Sequence, residues 1–224
     1  MDFSGLFNFD WKSVPFRLIA FVIAFSLHEW AHAYVAWKLG DDTAKREGRL
    51  TVNPLPHIDP FGLILILFGP FGWARPVPVN PLNFRGNKRK GMVLVAAAGP
   101  FVNLVLALLF TVLYGFFMLS GSLTGLSDKA VYAIHVTLIS SISINCGLVV
   151  FNLLPIPPLD GSKIFRFLAP PRWDGFFYKL ELYGPWALLL LIFIPALQGV
   201  LYYPLYWLSS GVTYVANLIL ALFF

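Results

Sequence analysis

The chain has 224 residues, of which 58% are hydrophobic and only 12% charged, with a formal net charge of +5. The charged share is about half the ~25% of a soluble domain, which excludes a water-soluble globule and a disordered chain, and a single cysteine excludes a disulfide scaffold. An integral membrane protein remains, in which basic residues lying between apolar runs mark topology rather than a nucleic-acid surface.

The first apolar run, 16–39, is long enough at about 1.5 Å per residue to cross a ~30 Å hydrocarbon core. It does not read as a secretory leader, because Asp2 and Asp10 precede it and it exceeds the ~7–15 apolar residues of such a segment. The polar stretch 40–90 follows, rich in proline. Within it, 49–52 and 77–79 are expected as short edge strands, and 61–68, too short to span, as a re-entrant element. The second span is expected at 92–119 and the third at 130–154, where Pro155, Pro157 and Pro158 stop it. After the mixed, basic segment 162–179 come two more spans, 180–200, kinked at Pro195, and 204–224. The expected fold is thus an all-α polytopic membrane protein. It has one domain over 1–224, about five transmembrane helices, and a short β or re-entrant insertion between the first and second.

Charge sets the orientation. The 40–90 loop carries eight Lys/Arg, and 155–179 carries Lys163, Arg166, Arg172 and Lys179. The loop between spans two and three has only Lys129, and that between spans four and five has none. With both basic loops cytoplasmic, the N-terminus lies outside the cell membrane, against the weak opposing bias of Lys12 and Arg17.

Inside the first span stands His28-Glu29-Trp30-Ala31-His32. Histidines four residues apart share one helix face, so both imidazoles can ligate one metal, and Glu29 beside them can take a proton from a water at that metal. Two imidazoles and a carboxylate cost several kcal/mol in an apolar helix, and a metal supplies the partner they need. A catalytic zinc takes three protein ligands. The candidate for the third is Asp160, which follows the prolines after span three, where irregular backbone at membrane depth must line a cavity or be buried in protein. An ordinary helix N-cap at Asp160-Gly161-Ser162 is the alternative. In this topology the histidines lie in the cytoplasmic half of span one and Asp160 follows the cytoplasmic end of span three, so the two halves of the site meet.

Further stretches carry a resemblance. Ala98-Gly99-Pro100-Phe101-Val102-Asn103 opens the second span, and Asn152-Leu153-Leu154-Pro155 leads to Leu159-Asp160-Gly161. Gly48-Arg49-Leu50-Thr51-Val52-Asn53-Pro54, His57-Ile58-Asp59-Pro60-Phe61-Gly62 and the stretch from Phe71 to Asn80 lie between. With the His28–His32 motif these resemble the site-2 protease family of intramembrane zinc metalloproteases, in its compact prokaryotic branch without PDZ or CBS domains. The resemblance covers about 16–168. It implies that Asp160 is the third ligand of one Zn²⁺ per chain and that Glu29 is the catalytic base. It also implies regulated cleavage of single-span membrane proteins within the lipid bilayer. Asn152 and Asn103 are candidate donors to the substrate or to the oxyanion, with helix–helix hydrogen bonding as the plain alternative. An unwound substrate could join the short strands by strand addition.

His57 with Asp59 reads as a structured turn bonded to backbone, or else as a contact behind the metal ligands or a gate. His135 reads as an interhelical hydrogen-bond partner, Cys146 as an inert buried thiol, and Ser140, Ser141, Ser143 and Gly147 as small residues at close helix contacts. The competing readings are a zinc-binding membrane transporter and a non-catalytic membrane scaffold. A carrier has no need of Glu29 as a base, no paired half-repeat is visible, and a scaffold would be expected to lack a ligand or the base.

Overall fold

The computed structural model describes residues 11–62 and 73–224. Most of the expected re-entrant segment 61–68 lies outside the described residues.

The first helix, α1, runs Val14–Lys38 with proline at its start, where a missing N–H costs nothing. A short helix α2, Thr43–Arg46, follows, then 3-10 turns at Leu55–His57 and Pro81–Asn83. Asn87 caps α3, Lys88–Leu119, by accepting from the Lys90 N–H, and Ser127 caps α4, Asp128–Asn152, in the same way at Ala130. The prolines after Asn152 end α4 as expected. A nine-residue helix α5, Asp160–Leu168, leads through a 3-10 turn to α6, Asp174–Phe193, and α7, Gly199–Leu220, closes the chain.

Helix α3 is the centre of the bundle and packs on α1, α4, α5 and α7, while α1 and α4 also touch each other. Small residues allow this approach: Ala24, Ala33 and Ala36 of α1 and Ala96 and Ala107 of α3 are buried. Large apolar side chains such as Phe101, Trp186 and Trp207 point outward, the pattern of a surface solvated by lipid. Among the described residues four helical stretches are long and apolar enough to cross a membrane: Val14–Lys38, Lys88–Leu119, Asp128–Asn152 and Pro171–Phe193.

Two expectations need correction. The stretches 49–52 and 77–79 are not strands. Among the described residues the only pairing is an isolated antiparallel bridge between Ile58 and Ala74. The prolines at 54, 56, 60, 76, 78 and 81 remove ladder donors. The remaining groups find side chains instead: Val77 N–H donates to Glu29 and Asn80 N–H to Asp41, while Arg49 donates to the carbonyls of Arg75 and Pro76. The second correction concerns Pro195, which breaks the helix rather than kinking it. Helix α6 stops at Phe193, a 3-10 turn covers Pro195–Leu197, and α7 begins at Gly199.

Candidate metal centre

His28 and His32 lie one turn apart on the face of α1 that meets α3, and both are buried. Their Nε2 atoms are 3.0 Å apart. Asp160 Oδ2 lies 3.2 Å from the first and 3.1 Å from the second. The three ligand atoms all fall within 4.8 Å of one another, the only such group of His, Cys, Asp and Glu among the described residues.

The close fit depends on two glycines. A Cβ on Gly99 of α3 would stand 2.5 Å from His28 Cε1 and 2.5 Å from His32 Nε2, so only glycine lets α3 pass over the imidazoles. At the other half of the site, a Cβ on Gly161 would lie 2.4 Å from the carbonyl oxygens of both Leu153 and Leu154. Gly161 therefore lets α5 start against the end of α4 and brings Asp160 inward. Asp160 is the first residue of α5, and its carboxylate caps no helix N–H, which removes the N-cap alternative. Lys163 Nζ donates to the outer oxygen, Oδ1, at 3.2 Å, leaving Oδ2 to face the histidines.

Hydrogen bonding determines what this cluster can hold. His32 Nδ1 lies 2.7 Å from the Val95 carbonyl, which only accepts, so Nδ1 carries the proton. His28 Nδ1 lies 2.5 Å from Asn103 Oδ1. The Asn103 amide nitrogen is engaged elsewhere, donating to Asn145 Oδ1 at 2.8 Å and to the Ala24 carbonyl at 3.3 Å. With Nδ1 of each ring turned to Asn103 or Val95, both imidazoles present Nε2 to each other and to a carboxylate oxygen. Three acceptors crowded together in a buried site repel unless a cation lies among them, and a two-histidine, one-carboxylate set suits zinc. The residues present fit that metal.

Glu29, also buried, accepts the Val77 N–H on Oε2 at 2.8 Å. This bond ties Glu29 to the segment that Arg49 holds by the carbonyls of Arg75 and Pro76.

Residues 16–142 match peptidase family M50. The chain belongs to peptidase family M50. This M50 peptidase is similar to "Putative zinc metalloprotease YwhC" of Bacillus subtilis, 43% identical over 216 residues, covering 94% of this chain and 93% of that protein. It is also similar to "Putative zinc metalloprotease Rip2" of Mycolicibacterium smegmatis, 28% identical across 88% of this chain and 74% of the relative, and of Mycobacterium tuberculosis, 29% identical over the same shares. No solved structure gives a significant match. The M50 membership makes the chain a metalloprotease, a hydrolase of peptide bonds, and the relatives' names point to zinc as its metal.

None of the other expected site residues belongs to the three-residue cluster, although Asn103 touches it. Asn103, fully buried, sits behind His28 with both ends of its amide engaged. Asn152 is the half-buried last residue of α4, and its side chain makes no hydrogen bond among the described residues. His57 is buried in its 3-10 turn with Nε2 2.9 Å from the Thr51 carbonyl. His135 Nδ1 meets the Tyr114 hydroxyl across α3 and α4 at 3.2 Å. Three parts of the site escape sequence reasoning: the Val77 N–H on Glu29, the Val95 carbonyl, and Asn145. The first two are backbone groups and leave no trace in residue type. Asn145 did carry a signal, as a polar amide one helical turn after Ser141 in an apolar span.

Proposed function

We propose that this metalloprotease is an intramembrane zinc endopeptidase that cuts single-span membrane proteins in regulated proteolysis. It forms one domain and holds one zinc per chain on His28, His32 and Asp160. The observation that carries this reading is the buried cluster of two imidazoles, on a helix long and apolar enough to span the bilayer, with the Asp160 carboxylate against them and Glu29 beside them. When bound, zinc supplies Lewis acidity to the hydrolysis of a peptide bond. The protein's own groups do the rest. Glu29 takes a proton from the attacking water and delivers it to the leaving amine, while Val77 N–H keeps its carboxylate aimed. Asn103 is committed at both ends, which supports a part in holding His28 and leaves Asn152 as the donor to substrate or oxyanion. A small cleft with room for about one water opens where Phe21, Phe25 and Ser26 face His57, Ile58 and Ala74, one to two turns along α1 from His28. His57 keeps the wall of that cleft in place, bonding Thr51 through its ring and the Arg75 N–H through its carbonyl.

The distribution of Lys and Arg supports five spans, with the N-terminus outside and the metal centre toward the cytoplasm. In that reading α7, with its 22 residues, is the fifth span.

The test uses the full chain in proteoliposomes with a panel of single-span membrane proteins. Cleavage should stop with a chelator and return with zinc. Glu29→Gln should lower the rate by about 10²–10⁴-fold while zinc is retained. Undiminished cleavage by that variant would refute the reading, and zinc flux without cleavage would favour a carrier.

A further inference from the structure

The polar chain behind His28 extends beyond Asn103 to groups that touch neither the metal cluster nor the cleft. Asn145 of α4 is fully buried among apolar helices. Its Oδ1 accepts from Asn103 Nδ2 at 2.8 Å, and its own Nδ2 donates to the Ser141 carbonyl at 2.8 Å. The chain therefore crosses three helices, from the α4 backbone through Asn145 and Asn103 to His28 on α1.

The order of donors along it has a direction. A carboxamide's two ends are almost the same size, so shape alone does not choose between an amide and its flipped form. The partners choose. The Ser141 carbonyl can only accept, so Asn145 must present its NH2 there and its oxygen to Asn103. Asn103 must then present its NH2 to Asn145 and to the Ala24 carbonyl, and its oxygen to His28. His28 must in turn carry its proton on Nδ1, which leaves the Nε2 lone pair free toward Asp160 and His32. A flipped Asn103 would push N–H against Nδ1, move the histidine proton to Nε2 and close that nitrogen to a metal.

We infer that Asn145 is a positioning residue that sets the His28 tautomer, and through it the metal affinity of the site, by fixing the orientation of the Asn103 amide. This inference rests on the metal-centre reading above, and its test separates the two.

Asn145→Leu keeps the bulk and removes the acceptor. Asn145→Asp keeps the order when its carboxyl is protonated, with O–H donating to Ser141 and C=O accepting from Asn103. Both variants and the unaltered chain are purified whole in detergent. Zinc affinity is read by competition with a chelator, and the His28 tautomer by ¹⁵N NMR of ring-labelled histidine in metal-free protein, with His28→Ala identifying the signal. Asn145→Leu should bind zinc about tenfold more weakly, in the range of groups that support metal ligands, and show His28 in both tautomers. Asn145→Asp should stay within about twofold of the unaltered chain, with Nδ1 protonated. Unchanged affinity and a single Nδ1–H tautomer in Asn145→Leu would overturn the inference, as would loss of that tautomer in Asn145→Asp, which tests it even where the Leu variant does not fold. Failure of the unaltered chain to bind zinc would refute the metal centre instead, while the metal-free tautomer would still judge Asn145.

Discussion

At Gly99 a single hydrogen atom stands where any other residue would place a carbon between two imidazoles. Gly99→Ala should therefore weaken zinc binding by about 10–100-fold, seen by chelator competition. The overpacking itself costs about 1–3 kcal/mol, and the helical circular dichroism, expected unchanged, checks that the bundle still forms. A second residue-scale effect is set by pH. Burial alone would raise the Asp41 carboxyl, but the Thr43 hydroxyl, the Asn83 amide and the N–H groups of Asn80 and Thr43 all donate to it and hold it below its ordinary value. A carboxyl lowered in the folded state contributes stability above its unfolded value and loses it as pH falls through the folded one. Protection from hydrogen exchange over 41–49 and 80–84, taken relative to the intrinsic rate at each pH, should accordingly fall below about pH 4. Asp41→Asn should exchange faster at neutral pH and show little further change on acidification.

At the scale of elements, α5 matters because its first residue, Asp160, stands against His28 and His32, and its far end is held by one side chain. Arg89, near the start of α3, donates to the carbonyls of Arg166, Phe167 and Ala169 and pairs with Asp174. Arg166 itself pairs with Glu181 of α6. A guanidinium spreads its donors over three nitrogens in a rigid planar fork and so reaches acceptors spaced along the end of a short helix, whereas a lysine's donors all sit on one nitrogen. Arg89→Lys and Arg89→Ala should both loosen α5. Exchange of the 160–168 amides should rise, and removal of hydrogen bonds from a charged donor should cost about 1.5–3 kcal/mol of stability in the alanine variant. The irregular 49–52 and 75–80 segments follow the same logic. Proline leaves too few N–H groups for a ladder, so side chains of Glu29, Arg49 and Asp41 organise the loop. That couples Glu29 to a loop with no regular structure.

For the whole molecule, charge bias and bundle geometry make one testable statement. The histidines lie in the second half of α1 and Asp160 lies beyond the end of α4, so the basic loops at those ends share a side of the membrane. A cysteine placed at Gly125 should react with a membrane-impermeant thiol reagent on intact cells, and one placed at Arg172 should react only after lysis. The native Cys146 is buried and should stay silent in both. Reversed labelling would invert the proposed orientation without touching the metal centre.

The sequence alone was enough for the membrane class, for the boundaries of the first three spans to within a few residues, and for picking out His28, His32 and Asp160, which the fold brings together. These follow from local quantities: run length, helical spacing, and the small number of groups able to serve a buried cation. It misjudged the 49–52 and 77–79 segments and Pro195, where the outcome depends on which partner a backbone group finds in space. Only the tertiary structure decided that Asp160 turns inward instead of capping its helix, that Asn103 faces a histidine, that Glu29 holds a backbone N–H, and that Asn145 stands behind them. Hydrogen-bond direction is a property of pairs brought together from distant parts of the chain, and no spacing along the chain encodes which carbonyl lies opposite which amide.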